Sequence, residues 1–320
     1  MTELFVNKYQ PLYFDDFLYS KDVINILNKL MMINELNILL IGDMSSGKTT
    51  IINALVREYY HGYSIKEYEE NILYINNLSE QGINYYRTDV KIFCQTFSTI
   101  RGKKKTIVLD DIDLINEQSQ QVFRNFIDEC KNVNFICSCS NNQKVIESLQ
   151  SRLNIIKINM PKKENINEII NYIKTKENII IDNDAQEFII NISNNVVKVV
   201  INYMEKFKLI NERITLDIAI KLCSNISFLK FEKYTKHILS NEIFDAIEII
   251  YELYDNGYSV MDILDNYFSF VKITTILTEE QKYIVIAYLC KYITIFHNIH
   301  EDEIELPFFT NNLIKTLNCK

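Results

Sequence analysis

Six glycines and three prolines among 320 residues leave few points at which the chain can turn tightly. That scarcity favours long helices over a turn-rich architecture. The seven cysteines form no CxxC pair. An odd count without a framework argues against a disulfide scaffold and against a zinc site, and places the chain in a reducing compartment with cysteine used as a small apolar residue. No apolar run reaches the roughly 18 residues that a membrane helix needs. The closest, residues 283–296, is broken by Lys291. Residues 1–10 carry charges and no signal-peptide core, so neither a membrane protein nor a secreted one is expected. Positive charge is also short: the net charge is −8, whereas a free-standing DNA-binding domain is usually basic. Contact with nucleic acid is therefore expected only through a local patch, inside a larger assembly.

What is present is apolar bulk. At 48% hydrophobic and 24% charged, the chain can bury real cores and stay soluble, and its length suits two or three domains. The heavy use of Ile, Asn, Lys and Tyr points to an A/T-rich genome. In the first half, short apolar runs at 36–41, 72–76, 106–110, 133–139 and 154–158 alternate with helical patterns at 48–60, 80–95, 117–131 and 142–150. Such alternation predicts an α/β fold with a parallel sheet covered on both faces, which binds ligands at the carboxyl ends of its strands. After Pro161 no further strand pattern occurs. Short amphipathic helices are expected at 164–175, 183–193, 195–208 and 214–222, and longer ones at 230–241, 243–256, 259–275, 278–298 and 307–317.

Gly42-Asp43-Met44-Ser45-Ser46-Gly47-Lys48-Thr49, followed by Thr50, matches G-x-x-x-x-G-K-[ST] between a strand and a helix. Glycine lets backbone N–H groups wrap phosphates, and the helix N-terminus adds unpaired donors and partial positive charge. Lys48 is expected to reach the outer phosphates of ATP, and the Thr49 hydroxyl to ligate Mg2+. Residues 106–113, TIVLDDID, supply the acidic partner: Asp110 at a strand end faces the magnesium, and Asp111 follows in the place of a general base.

These stretches resemble the small subunits of replication factor C, AAA+ ATPases that load the sliding clamp onto primed DNA. The likeness runs from Phe5 to about Asn202: FVNKYQPLYFDDF (5–17), INNLSEQGI (75–83), LDDID, SQQVFRNFIDE (119–129), FICSCSNNQKVIESLQSRL (135–153) and NVVKVVIN (195–202) follow the family's order. It implies an AAA+ nucleotide domain at 1–160, a helical lid at 161–225 and an oligomerising collar at 226–320. It further implies that Tyr9 and Pro11 lie against the adenine, and that Lys48, Thr49 and Asp110 hold MgATP. Asp111 takes the place of the base. Ser140 takes the sensor position, with Asn141 beside it as a substitute, and Lys198 stands where the lid's sensor Arg meets the γ-phosphate. Arg152 matches the arginine finger that reaches the ATP of a neighbouring subunit, where a cation is worth about 10³–10⁵ in rate.

The sequence departs from the family at several of these positions. Asp43-Met44-Ser45-Ser46 replaces Pro-Pro-Gly-Thr, Asp111 replaces Glu, Ser140 replaces Asn, Lys198 replaces Arg, and Gln10 replaces the Arg of Tyr-Arg-Pro. A position error of about 1 Å costs about a hundredfold in rate, and Lys lacks the bidentate fork of Arg. ATP binding with weak hydrolysis by the chain alone is the expectation. The drifted motifs and the A/T bias together point to a viral or compact parasitic source.

The implied partners are other clamp-loader subunits in a hetero-oligomer, expected as a pentamer, together with the sliding clamp and primer-template DNA. Arg87, Thr88, Lys91 and Arg124 are the candidate DNA contacts, made mostly to phosphates. The RGKKK run at 101–105 reads equally as a solvated loop. The aromatics Phe244, Tyr251, Tyr254, Tyr258, Phe268 and Phe270 read as core and subunit interface. The expected location is the nucleus or a cytoplasmic replication compartment, a viral factory if the source is viral. Two other readings stay open: a structural subunit that binds nucleotide and only donates Arg152, and a different AAA+ protein such as an initiator, which requires a winged-helix pattern in the tail.

Overall fold

The computed structural model describes residues 4–75, 83–193, 195–210, 212–223, 228–296 and 302–318. Most of the INNLSEQGI stretch lies outside the described residues. The elements run α1 Phe5–Lys8, α2 Lys21–Met32, β1 Ile38–Ile41, α3 Lys48–Tyr59, α4 Ile65–Glu69, β2 Ile72–Ile75, α5 Ile83–Gln95, β3 Lys105–Leu109, α6 Glu117–Glu129, β4 Val133–Cys139, α7 Glu147–Gln150 and β5 Asn154–Lys157. Nine helices of the described residues follow: α8 Lys163–Glu177, α9 Asn183–Ile192, α10 Val197–Ile210, α11 Leu216–Cys223, α12 Phe228–Leu239, α13 Ile243–Asp255, α14 Val260–Ile273, α15 Glu279–Phe296 and α16 Glu305–Asn318.

The chain divides into two compact units. One comprises Met1–Asn178 with Asn195–Leu209, the other Ile179–Asn194 with Ile210–Lys320. In the first, the strands form a parallel sheet in the order β2-β3-β4-β1-β5. Successive side chains of a strand point to opposite faces. Accordingly Ile38, Leu40, Val108, Ile136 and Ile156 pack with Leu27, Ile51 and Leu55 from α2 and α3. Leu39, Ile107, Leu109, Phe135 and Cys137 pack on the other side with Val90, Phe123 and Ile127 from α5 and α6. A sheet covered on both faces explains why its strands read as continuous apolar runs. The order also brings the carboxyl ends of β3, β4 and β1 side by side, with Leu109 paired to Cys137 and Ile41 to Cys139.

The expected helix at 142–150 is not continuous. Asn141 caps a short 3-10 turn at Asn142–Lys144, Val145 and Ile146 are extended, and only α7 follows. The reason is tertiary: the Ile146 N–H donates to the side chain of Gln120 rather than to a helical carbonyl. The helices α1, α2 and α4 have no counterpart in the sequence pattern that marked the others.

The basic run is a solvated turn only at Arg101 and Gly102, which are exposed. Lys105 belongs to β3, is buried, and sits 4.4 Å from the Phe93 ring centre, while its ammonium donates to Thr96. Lys104 donates to the Asn34 carbonyl and Lys103 lies 4.6 Å over the Tyr59 ring. These three lysines are engaged at the start of β3.

The second unit is helical among its described residues apart from one isolated bridge between Ile181 and Ile214. Its core gathers Phe231, Tyr234, Ile250, Tyr267, Leu289 and Phe309. Tyr234 and Tyr267 meet edge to face there at 5.2 Å, and the Tyr234 hydroxyl is satisfied by Thr310. Of the tail aromatics, Phe270 is buried and Tyr254, Tyr258 and Phe268 pack against that core, but Phe244 is 85% exposed. Among the described residues no helix is long and apolar enough to cross a membrane.

Phe123 is fully buried and meets Tyr86 at 5.1 Å between ring centres. Phe123→Ala is expected to destabilise the first unit by about 3–5 kcal/mol. Denaturant unfolding checks this, with the transition of the helical second unit left in place.

Candidate functional site

The loop after β1 is shaped by its glycines. A Cβ on Gly42 would lie 2.7 Å from Ser46 Oγ and 2.8 Å from the Ile158 carbonyl oxygen, so no side chain fits. Ser45 and Gly47 adopt left-handed backbone, φ 61° and 93°, which turns the chain into α3. Gly47 supplies no side-chain cap, so the first N–H groups of α3 keep the orphan donors of a helix start. Lys48, although charged, is only 7% exposed. Its ammonium donates to the carbonyls of Gly42 and Asp43 at 2.9 and 3.0 Å and to Ser140 Oγ at 3.1 Å.

The neighbouring strand ends close the other side. Thr49 Oγ1 donates to Asp110 Oδ2 at 2.8 Å. Ser138 on β4 donates to the second oxygen of Asp110, and itself accepts from the Asp111 N–H at 3.0 Å. Asp111 also holds left-handed backbone, φ 53°. Burial, then the charge of Asp110, push its carboxyl above the ordinary aspartate value; Lys48 opposes this and Asp113 adds to it. Thus Lys48, Thr49, Asp110, Asp111 and Ser140 come from three different strand ends and meet at one place.

All of these but Asp110 border a cleft of about 920 Å3 in the first unit. Its base carries Met44, Ser45, Gly47, Lys48, Thr49 and Thr50, with Asp111, Asp113 and Ser140 beside them. Tyr9 and Pro11 from the amino-terminal segment form one wall. Tyr172 of α8 and Lys198 in the first turn of α10 face the same space. Gly42, Ser46 and Asp110 are not part of that lining, and neither is Asp43, which is exposed. Asn141 does not line the cleft; its side chain accepts from the Gln143 N–H, so Ser140 is the residue of this pair that reaches Lys48.

The other expected site residues lie elsewhere. Arg152 follows α7 and does not line the cleft of its own chain. Its Nε pairs with Asp128 at 2.7 Å and its Nη1 donates to the Ser148 carbonyl at 2.6 Å. Arg124 lies 3.8 Å from the same Asp128 and donates to Asn125. Arg87, Thr88 and Lys91 are exposed together on one face of α5, as three- and four-residue spacing dictates.

Two residues that shape the site escaped the sequence pattern. Glu177, at the end of α8, accepts from Tyr9 Oη and Lys8 Nζ, both at 2.5 Å, and ties the amino-terminal wall to α8. Those hydrogen bonds, with the Lys8 charge, hold its carboxyl below the ordinary glutamate value. Gln120 is fully buried in α6. Its amide donates to Ile115 O and Lys144 O, both at 2.9 Å, and its oxygen accepts from the Ile146 N–H at 2.9 Å. It bolts the loop after β3 to the loop after β4. The first Gln of Ser119-Gln120-Gln121 was visible only as part of a family-like stretch; nothing local marks it as buried.

The family model "AAA domain" matches residues 34–161. A curated replication factor C small subunit from Methanococcus maripaludis is 28% identical over 290 residues, covering 90% of this chain and 91% of the relative. The chain is thus similar to replication factor C small subunits along 90% of its length and carries an AAA domain. Replication factor C subunit 2 of Arabidopsis thaliana is 26% identical and covers 85% of this chain and 81% of its own length. These archaeal and plant relatives give no support to a viral source. The solved structure titled as the Thermotoga maritima RuvB Holliday junction branch migration motor overlays 72% of this chain and 79% of its own, with a TM-score of 0.53 at 15% identity, which establishes the shared AAA+ fold.

The residues present suit MgATP. A backbone cradle closed to any Cβ and an uncapped helix start fit a polyphosphate. Ser46 Oγ is buried inside that loop with no hydrogen-bond partner among the described residues. Hydroxyl and carboxylate oxygens, from Thr49 and Asp110, fit a hard divalent cation.

Gly42→Ala is expected to abolish binding of a fluorescent ATP analogue, because the added methyl meets backbone. Glu177→Gln is expected to weaken that binding several-fold by loosening Tyr9. Because the folded Glu177 carboxyl is depressed, its contribution is complete above the ordinary glutamate range and is lost as pH falls through the folded value. Thermal melting against pH should lose this component in the Gln variant.

Proposed function

We propose that this chain is an ATP-binding small subunit of a clamp loader, which uses ATP to hold a spiral of subunits that opens the sliding clamp and recognises primer-template DNA. The observation that carries the reading is the contact of Thr49 with Asp110 at 2.8 Å beneath a glycine loop whose Lys48 is buried, in a chain related along 90% of its length to replication factor C small subunits. Lys48 and the N–H groups opening α3 would hold the outer phosphates, and Thr49 and Asp110 the Mg2+. When bound, that ion neutralises charge on the phosphates. Asp111 would orient and deprotonate the attacking water, and Ser140 and Lys198, which both line the cleft, would meet the γ-phosphate. Tyr9 and Pro11 would border the base.

Arg152 is the exception that fits an assembly. It is held by Asp128 outside its own cleft, which suits a finger offered to the nucleotide of an adjacent subunit. Supplying the cation from another chain makes hydrolysis depend on how the subunits are arranged. In the three-part division we favour, residues 1–160 form the nucleotide domain, 161–225 the lid and 226–320 a collar for assembly. Arg87, Thr88 and Lys91 are the DNA contacts best presented by the fold; Arg124 shares Asp128 with Arg152. Two substitutions favour a second reading, a subunit with little hydrolysis of its own: Asp111 is one methylene shorter than Glu, and Lys198 lacks a guanidinium. The initiator reading finds no strand-bearing wing among the described residues of the tail.

In the complex assembled with its partner subunits, Arg152→Ala is expected to lower ATP turnover by about 10³ while this chain still binds ATP. Asp111→Asn is expected to abolish turnover at this chain's own site; turnover unchanged by Asp111→Asn but lost with Arg152→Ala would establish the second reading. Steady-state ATPase with clamp and primed DNA decides between them. Charge reversal at Arg87 and Lys91 is expected to remove the DNA stimulation alone.

A further inference from the structure

Asp113 belongs to the run of acids after β3, but unlike Asp110 and Asp111 it has been given no task. It lines the cleft. Its Oδ2 accepts from the backbone N–H groups of Ser140 and Asn141, at 3.2 and 2.9 Å. Its Oδ1 is buried, with no hydrogen-bond partner among the described residues. A carboxylate oxygen sealed from solvent is a costly thing to keep in a loop whose only need is a turn.

The two N–H groups that Asp113 holds are those of the residue that contacts Lys48 and of the residue after it. Ser140 Oγ lies 3.1 Å from Lys48 Nζ, and Asn141 caps the turn that leads away. Asp113 therefore bridges the exit of β3, which carries the acidic residues, to the exit of β4, which carries the hydroxyl facing the ammonium. Gln120 ties the same two loops at their far ends through Ile115, Lys144 and Ile146. The peptide bearing Ser140 is thus held on two sides: its Cys139 carbonyl accepts from the Gly42 N–H at 3.3 Å, and its Ser140 N–H donates to Asp113, the tie to the exit of β3.

We propose that Asp113 is a positioning residue: by accepting the N–H groups of Ser140 and Asn141 it sets the Ser140 hydroxyl against Lys48 and hence against the outer phosphate of bound ATP. The inference rests on the ATPase reading of the site. It assigns Asp113 an effect on turnover rather than on affinity, because Lys48, Thr49 and the glycine loop grip the phosphates without it.

The test uses the chain assembled with its partner subunits, with MgATP, clamp and primed DNA. Asp113→Ala should lower kcat about 10- to 100-fold, as displacement of a group by about 1 Å does, while KM and the affinity for a fluorescent ATP analogue stay within about threefold. Asp113→Asn, whose amide oxygen still accepts both N–H groups, should restore most of the turnover. Native kcat in the Ala variant, equal losses of kcat and affinity, or an Asn variant as poor as the Ala variant would each overturn the proposal. Amide hydrogen exchange at Ser140 and Asn141 provides a readout that needs neither turnover nor the Ala variant. Slow exchange in the native chain and in Asp113→Asn is expected; fast exchange in the native chain overturns the assignment. A native complex without turnover would instead defeat the ATPase reading, and the exchange measurement would still decide whether Asp113 holds the loop.

Discussion

Everything at the site depends on three strand ends being neighbours. The order β3-β4-β1 places Asp110, Ser138 with Ser140, and the Gly42–Thr49 loop within hydrogen-bonding reach of one another. A parallel sheet delivers all its carboxyl ends to one edge, so residues that are scattered in sequence arrive together without long loops. The hydrogen bonds among them then lock each loop: Lys48 spans β1 to β4, Thr49 spans α3 to β3, and Asp113 spans β3 to β4. A displacement of any one strand end would be felt at the other two.

Cations are distributed with the same economy. In the densest basic run, 101–105, Lys103, Lys104 and Lys105 are engaged at the start of β3 by aromatic faces and a backbone carbonyl, while Arg101 stays exposed. Arg152 and Arg124 share one carboxylate on the outside of the same domain. On α5, Arg87 and Lys91 lie together on an exposed helical face.

Much of the first unit was legible because its signals are periodic or local. Each of the five predicted strands is present to within two residues, since a doubly covered strand must be apolar on both faces. The helices of the tail match their expected spans closely for the same reason of pattern. The misses share a cause. The segment 142–150 breaks because Gln120, more than twenty residues away, captures the Ile146 N–H, and Lys105 reads as a solvated charge although its stem is packed on Phe93. Hydropathy and spacing carry no information about a partner so far along the chain.

The sequence by itself determined the nucleotide loop, the acid pair after β3, the layered α/β class and the family likeness, because each is written in contiguous residues whose chemistry is local. Only the tertiary structure decided that Ser140 rather than Asn141 meets Lys48, that Glu177 anchors Tyr9, that Asp128 holds Arg152, and that Asp113 clasps the β4 loop. Those are choices among several chemically competent neighbours. They are made by strand order and by which N–H groups are left unpaired at a strand end, and neither is encoded at any single position.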